Sequence, residues 1–118
     1  MIKVNNSCQI YFALEPIDMR KAIDGLAYII SGSENKDPQN GDLYVFRNKS
    51  CDIVKILYWD KNGFVMHYKR LETGRFKFPK QLMGDYFLIN EDQLSWLLAG
   101  LDFYLMSQFN QLNFENYF

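Results

Sequence analysis

The sequence is poor in the residues that build metal centres and covalent staples, with two cysteines and one histidine in 118 residues. Cys8 and Cys51 stand in no metal-ligand spacing, which argues against a zinc site and a disulfide framework. The histidine, His67, falls in the middle of a strand pattern, where it is assigned no chemical role, and no Ser-His-Asp set is present. No apolar run exceeds five residues, as at Ile10–Leu14, far short of the ~18–20 that a membrane helix needs. The start, Met1-Ile2-Lys3-Val4-Asn5-Asn6, has no apolar signal core, so the expected location is the cytoplasm. Positive charge is missing altogether from residues 81–118, which hold five acids and no Lys or Arg.

What is present is a core. Apolar residues make up 48% of the chain and aromatics 17%, enough for one domain of this size to fold without staples. Charged residues, at 23%, are near ordinary globular usage, which excludes disorder along the whole chain. The net charge of −1 hides a strong division. Residues 1–46 carry −2, residues 47–80 carry +6 and residues 81–118 carry −5. A basic segment beside an acidic one points to a polyanion-facing surface.

Gln9–Leu14 reads as a short strand. Asp18 is then a suitable N-cap for a helix from Met19 to about Ser31, with Ile23, Leu26, Ala27 and Ile30 on one buried face. Gly32–Gly41 is the clearest loop. From Asp42 the period changes, and Asp42–Arg47, Ile53–Trp59, Phe64–Leu71 and Arg75–Phe78 read as an antiparallel meander. An Asn62-Gly63 turn of type I′ sets Lys55 opposite Arg70, two like charges that cost up to ~1 kcal/mol unless an anion bridges them. A longer loop from Asp60 to Gly63 pairs Lys55 with Tyr68 instead. Asn90 is the expected cap of a second helix, with Gln93 completing a capping box and Gly100 ending it.

The fold class expected is therefore α+β, a four- to five-stranded antiparallel meander sheet packed against two helices. Residues 1–102 form one domain, followed by an aromatic-rich acidic tail, 103–118, of helical pattern. In the acidic C-terminal segment, 81–118, Leu101, Leu105, Phe109 and Leu112 recur at roughly helical spacing. Such a stripe can dock back on the sheet, pair two copies in a homo-oligomer, or bind another protein.

Three blocks carry a resemblance: Pro16-Ile17-Asp18-Met19-Arg20-Lys21-Ala22-Ile23-Asp24-Gly25-Leu26, Tyr44-Val45-Phe46-Arg47-Asn48, and the long stretch from Val54 to Phe64 that continues through Tyr68-Lys69-Arg70-Leu71-Glu72-Thr73-Gly74-Arg75-Phe76. From Gln9 to Asp102 the chain closely resembles the small accessory proteins (TnpB type, second open reading frame) of the IS-sixty-six family of bacterial insertion sequences. Ala22 stands where the family usually has glycine, and Phe78-Pro79 where Trp-Pro is common. The resemblance implies a protein encoded in a mobile element that serves its transposition, while a separate large transposase cleaves and joins the strands.

The residues themselves favour binding over catalysis. A two-metal nuclease needs carboxylates converging on two cations, and the candidates Asp18, Asp24, Asp60 and Glu72 each have a duller role as cap, solvated helix face or turn. No enzyme activity, cofactor or metal is expected. Nucleic-acid contact is assigned to Lys55, Lys69, Arg70, Arg75 and Lys77 on the hairpin and the segment after it, with Arg47, and with Arg20 and Lys21 joining through the fold. Strand neighbours Lys69 and Arg70 must point to opposite faces. The aromatics Tyr44, Phe46, Tyr58, Trp59, Phe64, Tyr68, Phe76 and Phe78 are mostly needed as core, although such residues can also stack single-stranded bases. The partners expected are element DNA and the transposase. The alternative is a protein–protein adaptor that does not touch DNA.

Overall fold

Nine residues of helix separate two strands that lie side by side, and this connection decides the topology. β1 (Ile10–Ala13) pairs in parallel with β2 (Leu43–Arg47), and α1 (Ile23–Ser31) lies on the connection between them. Parallel neighbours need a crossover of this kind. β2, β3 (Ile53–Asp60) and β4 (Gly63–Arg70) then form an antiparallel meander, and β5 (Tyr86–Ile89) pairs antiparallel with the other side of β1. The computed structural model describes residues 8–79 and 83–108, and its sheet runs β4-β3-β2-β1-β5. The α+β class holds, but the sheet is mixed and not purely antiparallel.

Both faces of the sheet are apolar and both are covered. Alternation along β2 sends Tyr44 and Phe46 to one face, where they pack with Leu57 against Leu26 and Ile30 of α1. Leu43 and Val45 go to the other face, with Ile10, Phe12, Val54 and Ile56, against Leu94 and Leu97 of α2 (Glu91–Leu98) and Phe103. Buried β2 therefore reads as a continuous apolar run, as a strand covered on both sides should. Among the described residues no helix is long and apolar enough to cross a membrane.

Three local expectations are corrected. The first helix starts at Ile23, not Met19. The Asp18 carboxylate accepts from the backbone N–H and guanidinium of Arg20, and the Lys55 amine takes the carbonyls of Met19 and Lys21. The Met19 carbonyl is thereby diverted from a first helical turn, and Ala22 becomes an extended N-cap with no side-chain bond.

The hairpin loop is Lys61-Asn62, with Lys61 at φ 53°, so Asp60 faces Gly63 and Lys55 faces Tyr68. This two-residue shift from the Lys55–Arg70 pairing leaves every side chain on its face and removes the like-charge pair. Finally, Arg75–Phe78 is not a strand. Past Gly74 (φ 83°) the Phe76 N–H donates to the Cys51 carbonyl at 2.7 Å, across the β2–β3 connection. The fifth strand is Tyr86–Ile89 instead.

α2 follows its sequence signals closely. The Asn90 side chain accepts from the Gln93 N–H at 2.8 Å and the Gln93 side chain accepts from the Asn90 N–H at 2.8 Å. At the other end Gly100 (φ 82°) donates to Leu97 O and Leu101 to Trp96 O, the paired bonds of a Schellman stop.

Candidate nucleic-acid interface

The segment after β4 alternates in its contacts even though it is not a strand. Phe76 is buried in the core beneath α2, and the Phe78 ring lies 4.8 Å from that of Phe12. Arg75 and Lys77, between and beside them, are exposed. They line an open groove of about 1010 Å³ together with Arg47 at the end of β2 and Lys49 in the β2–β3 connection. Arg47 is the most fixed of the four. Its Nη2 donates to Leu14 O at 2.8 Å, its guanidinium lies 5.2 Å from the Phe78 ring centroid, and its buried Nε has no hydrogen-bond partner among the described residues.

Two acids, Glu15 and Asp102, also line this groove, so among the described residues cations outnumber acids four to two. The Asp102 carboxylate accepts from the Leu105 N–H at 3.0 Å, capping the helical segment 103–108. It is thus partly spent on the positive end of that helix. The lining also includes Tyr104, 40% exposed, which follows the fully buried Phe103. Gln93 of α2 donates to Ser107 Oγ at 2.9 Å, tying this segment to α2.

The sheet separates the eight basic residues expected to bind nucleic acid. Arg47, Arg75 and Lys77 come together in the groove. Lys69 points to the same side of the sheet but is engaged elsewhere: its amine donates to Leu98 O at 2.6 Å, at the negative end of α2. Arg20, Lys21, Lys55 and Arg70 belong to the α1 side. Lys55 is only 5% exposed, and its amine is held by Met19 O and Lys21 O, both at 2.7 Å. Arg20 pairs with Asp18 at 2.6 Å and Arg70 with Glu72 at 3.1 Å, which raises both guanidinium pKa values and holds the Asp18 carboxyl down at about 2. Lys49 was visible in the charge count but was not among the expected contact residues. Only the fold of the β2–β3 connection, with Cys51 at φ 62°, brings it beside Arg75 and Lys77.

The other candidates have structural surroundings. Of the aromatics, Tyr44, Phe46 and Phe76 are buried core, Tyr58, Trp59, Phe64 and Phe78 are half-buried, and Tyr68 is exposed. The exposed His67 ring stacks on Tyr58 with its Nε2 3.4 Å from the phenol oxygen. Among the described residues no three His, Cys, Asp or Glu side chains converge on a point that could hold a metal ion. No disulfide joins Cys8 and Cys51. In the C-terminal stripe Leu101 and Leu105 are exposed, while Phe109 and Leu112 lie outside the described residues.

Comparison with known proteins gives this surface its context. No solved structure matches the chain. Two relatives come from Sinorhizobium fredii, the uncharacterized proteins y4jC and y4hO. The first is 36% identical over 102 residues, 86% of each chain, and the second 32% identical over 102 residues, 86% of this chain and 88% of the relative. The family model described as IS66 Orf2 like protein matches residues 8–108, spanning the sheet, both helices and the groove. The chain therefore belongs to the IS66 Orf2-like family, whose place is that of an accessory protein in the transposition of an insertion sequence.

Proposed function

We propose that the protein is a non-catalytic accessory factor that contacts element DNA through the groove lined by Arg47, Lys49, Arg75 and Lys77 and assists the transposase. The observation that carries this reading is the convergence of four cations from two separate stretches of chain, 47–49 and 75–77, on one open groove. Lys49, Arg75 and Lys77 are exposed there. Exposed lysines and arginines neutralise phosphates and release counterions, giving affinity that falls steeply with salt. Arg20 and Arg70 fit this role less well, because each already faces a carboxylate.

A second reading has its own support. Leu101 and Leu105, with Met83, expose apolar side chains, as a docking face for the transposase or a second copy would. In that reading the protein is an adaptor with no DNA contact. Fluorescence-anisotropy titration with DNA from the element's terminal repeat, and with a scrambled sequence, separates the two. Binding that weakens as salt rises supports DNA contact, and preference for the terminal sequence makes the protein an end-recognition factor. Absence of binding to either at low salt transfers the role to the adaptor.

A further inference from the structure

The groove has a shape and a lining that discriminate between forms of DNA. A double helix is read by an element that projects into its grooves, a helix or a two-stranded ribbon, or is held along its backbone by a basic face. Here the exposed cations line a hollow. Arg75 and Lys77 come from an irregular segment held down by the Phe76–Cys51 bond, by Phe76 in the core and by the half-buried Phe78 packed against it. Proteins that hold single strands combine a cationic channel that tracks the phosphates with aromatic side chains on which bases stack.

This groove has both parts. Tyr104, 40% exposed, is the aromatic residue of the lining beside Phe76 and Phe78 that is exposed, and its backbone is held by the buried Phe103, whose ring centroid lies 6.0 Å from that of Phe12. Resting on the DNA-contact reading above, we infer that the ligand of this groove is single-stranded DNA, with phosphates held by Lys49, Arg75 and Lys77 and a base stacked on Tyr104. Arg47, committed to Leu14 O and Phe78, positions the groove floor and leaves the exposed cations to meet phosphate. A strand freed when an element end is processed has the required chemistry.

The full chain is titrated by fluorescence anisotropy with a labelled oligothymidylate and with a blunt duplex of the same length, at low salt. The expected result is tighter binding of the single strand. Tyr104→Ala weakens it roughly tenfold, within the range for loss of one stacked base. Tyr104→Phe keeps the ring and restores the affinity, and neither change alters duplex binding. Duplex binding equal to or tighter than single-strand binding, lost on replacing Lys49, Arg75 and Lys77 by Ala, overturns the single-strand assignment and leaves DNA contact standing. Unchanged single-strand affinity in a folded Tyr104→Ala protein also overturns it. Failure to bind either form removes the DNA-contact reading itself.

Discussion

The side-chain amine of Lys55 donates a 2.7 Å hydrogen bond to the backbone carbonyl of Lys21, and a second of the same length to Met19. Two residues whose charge suggested a shared contact with DNA are thus bonded to each other inside the fold. Lys55, 5% exposed, fastens the approach to α1 against the middle of β3. Lys55→Met keeps most of the volume and removes both bonds, leaving two carbonyls without their donor. We expect a loss of about 2–3 kcal/mol, read as a lower urea midpoint, with nucleic-acid affinity unchanged while the protein is folded.

Asn90 and Gln93 bond to each other's backbone at the start of α2, whose Leu94 and Leu97 cover the core beside the groove. Asn90→Ala removes the side-chain acceptor for the Gln93 N–H and should cost about 1 kcal/mol. Urea denaturation checks the value. Because α2 also anchors Ser107 through Gln93, hydrogen exchange should quicken across residues 103–108 as well.

Burial pushes the Tyr44 phenol up to about 12 from its ordinary 10.0. A phenol kept neutral in the folded chain but ionised in the unfolded one contributes stability that is complete below pH 10 and is lost as pH rises through about 12. Stability should fall across that window, and less steeply in Tyr44→Phe. Denaturation midpoints taken at increasing alkaline pH read the difference.

The sequence made local signals legible where one side chain meets its own neighbourhood. The Asn90–Gln93 box, the stop at Gly100 and the inward pair Phe76 and Phe78 all follow from patterns a few residues long. What it hid depended on distant partners. The helix start moved from Met19 to Ile23 because a lysine more than thirty residues away claims the carbonyls. β5 was missed although Tyr86-Phe87-Leu88-Ile89, between Gly84 and Asn90, has the composition of a strand. The parallel β1–β2 pairing is a property of the crossover, which strand patterns do not encode. Of the basic residues, charge alone singled out the 47–80 segment, four of whose cations line the groove, while the face each side chain occupies came from register and from the turn at Cys51.

In the proposed function one face of the sheet, the groove face, meets DNA. The direct measurement compares salt dependence of oligonucleotide binding for two triple variants, Lys49→Ala/Arg75→Ala/Lys77→Ala in the groove and Arg20→Ala/Lys21→Ala/Arg70→Ala on the α1 side. Each lost phosphate contact on a single strand lowers the slope of log affinity against log salt by ~0.7. The groove variant should therefore bind more weakly with a slope reduced by about 2, while the α1-side variant keeps both affinity and slope. Loss confined to the α1-side variant, or an unchanged slope in the folded groove variant, would contradict the account.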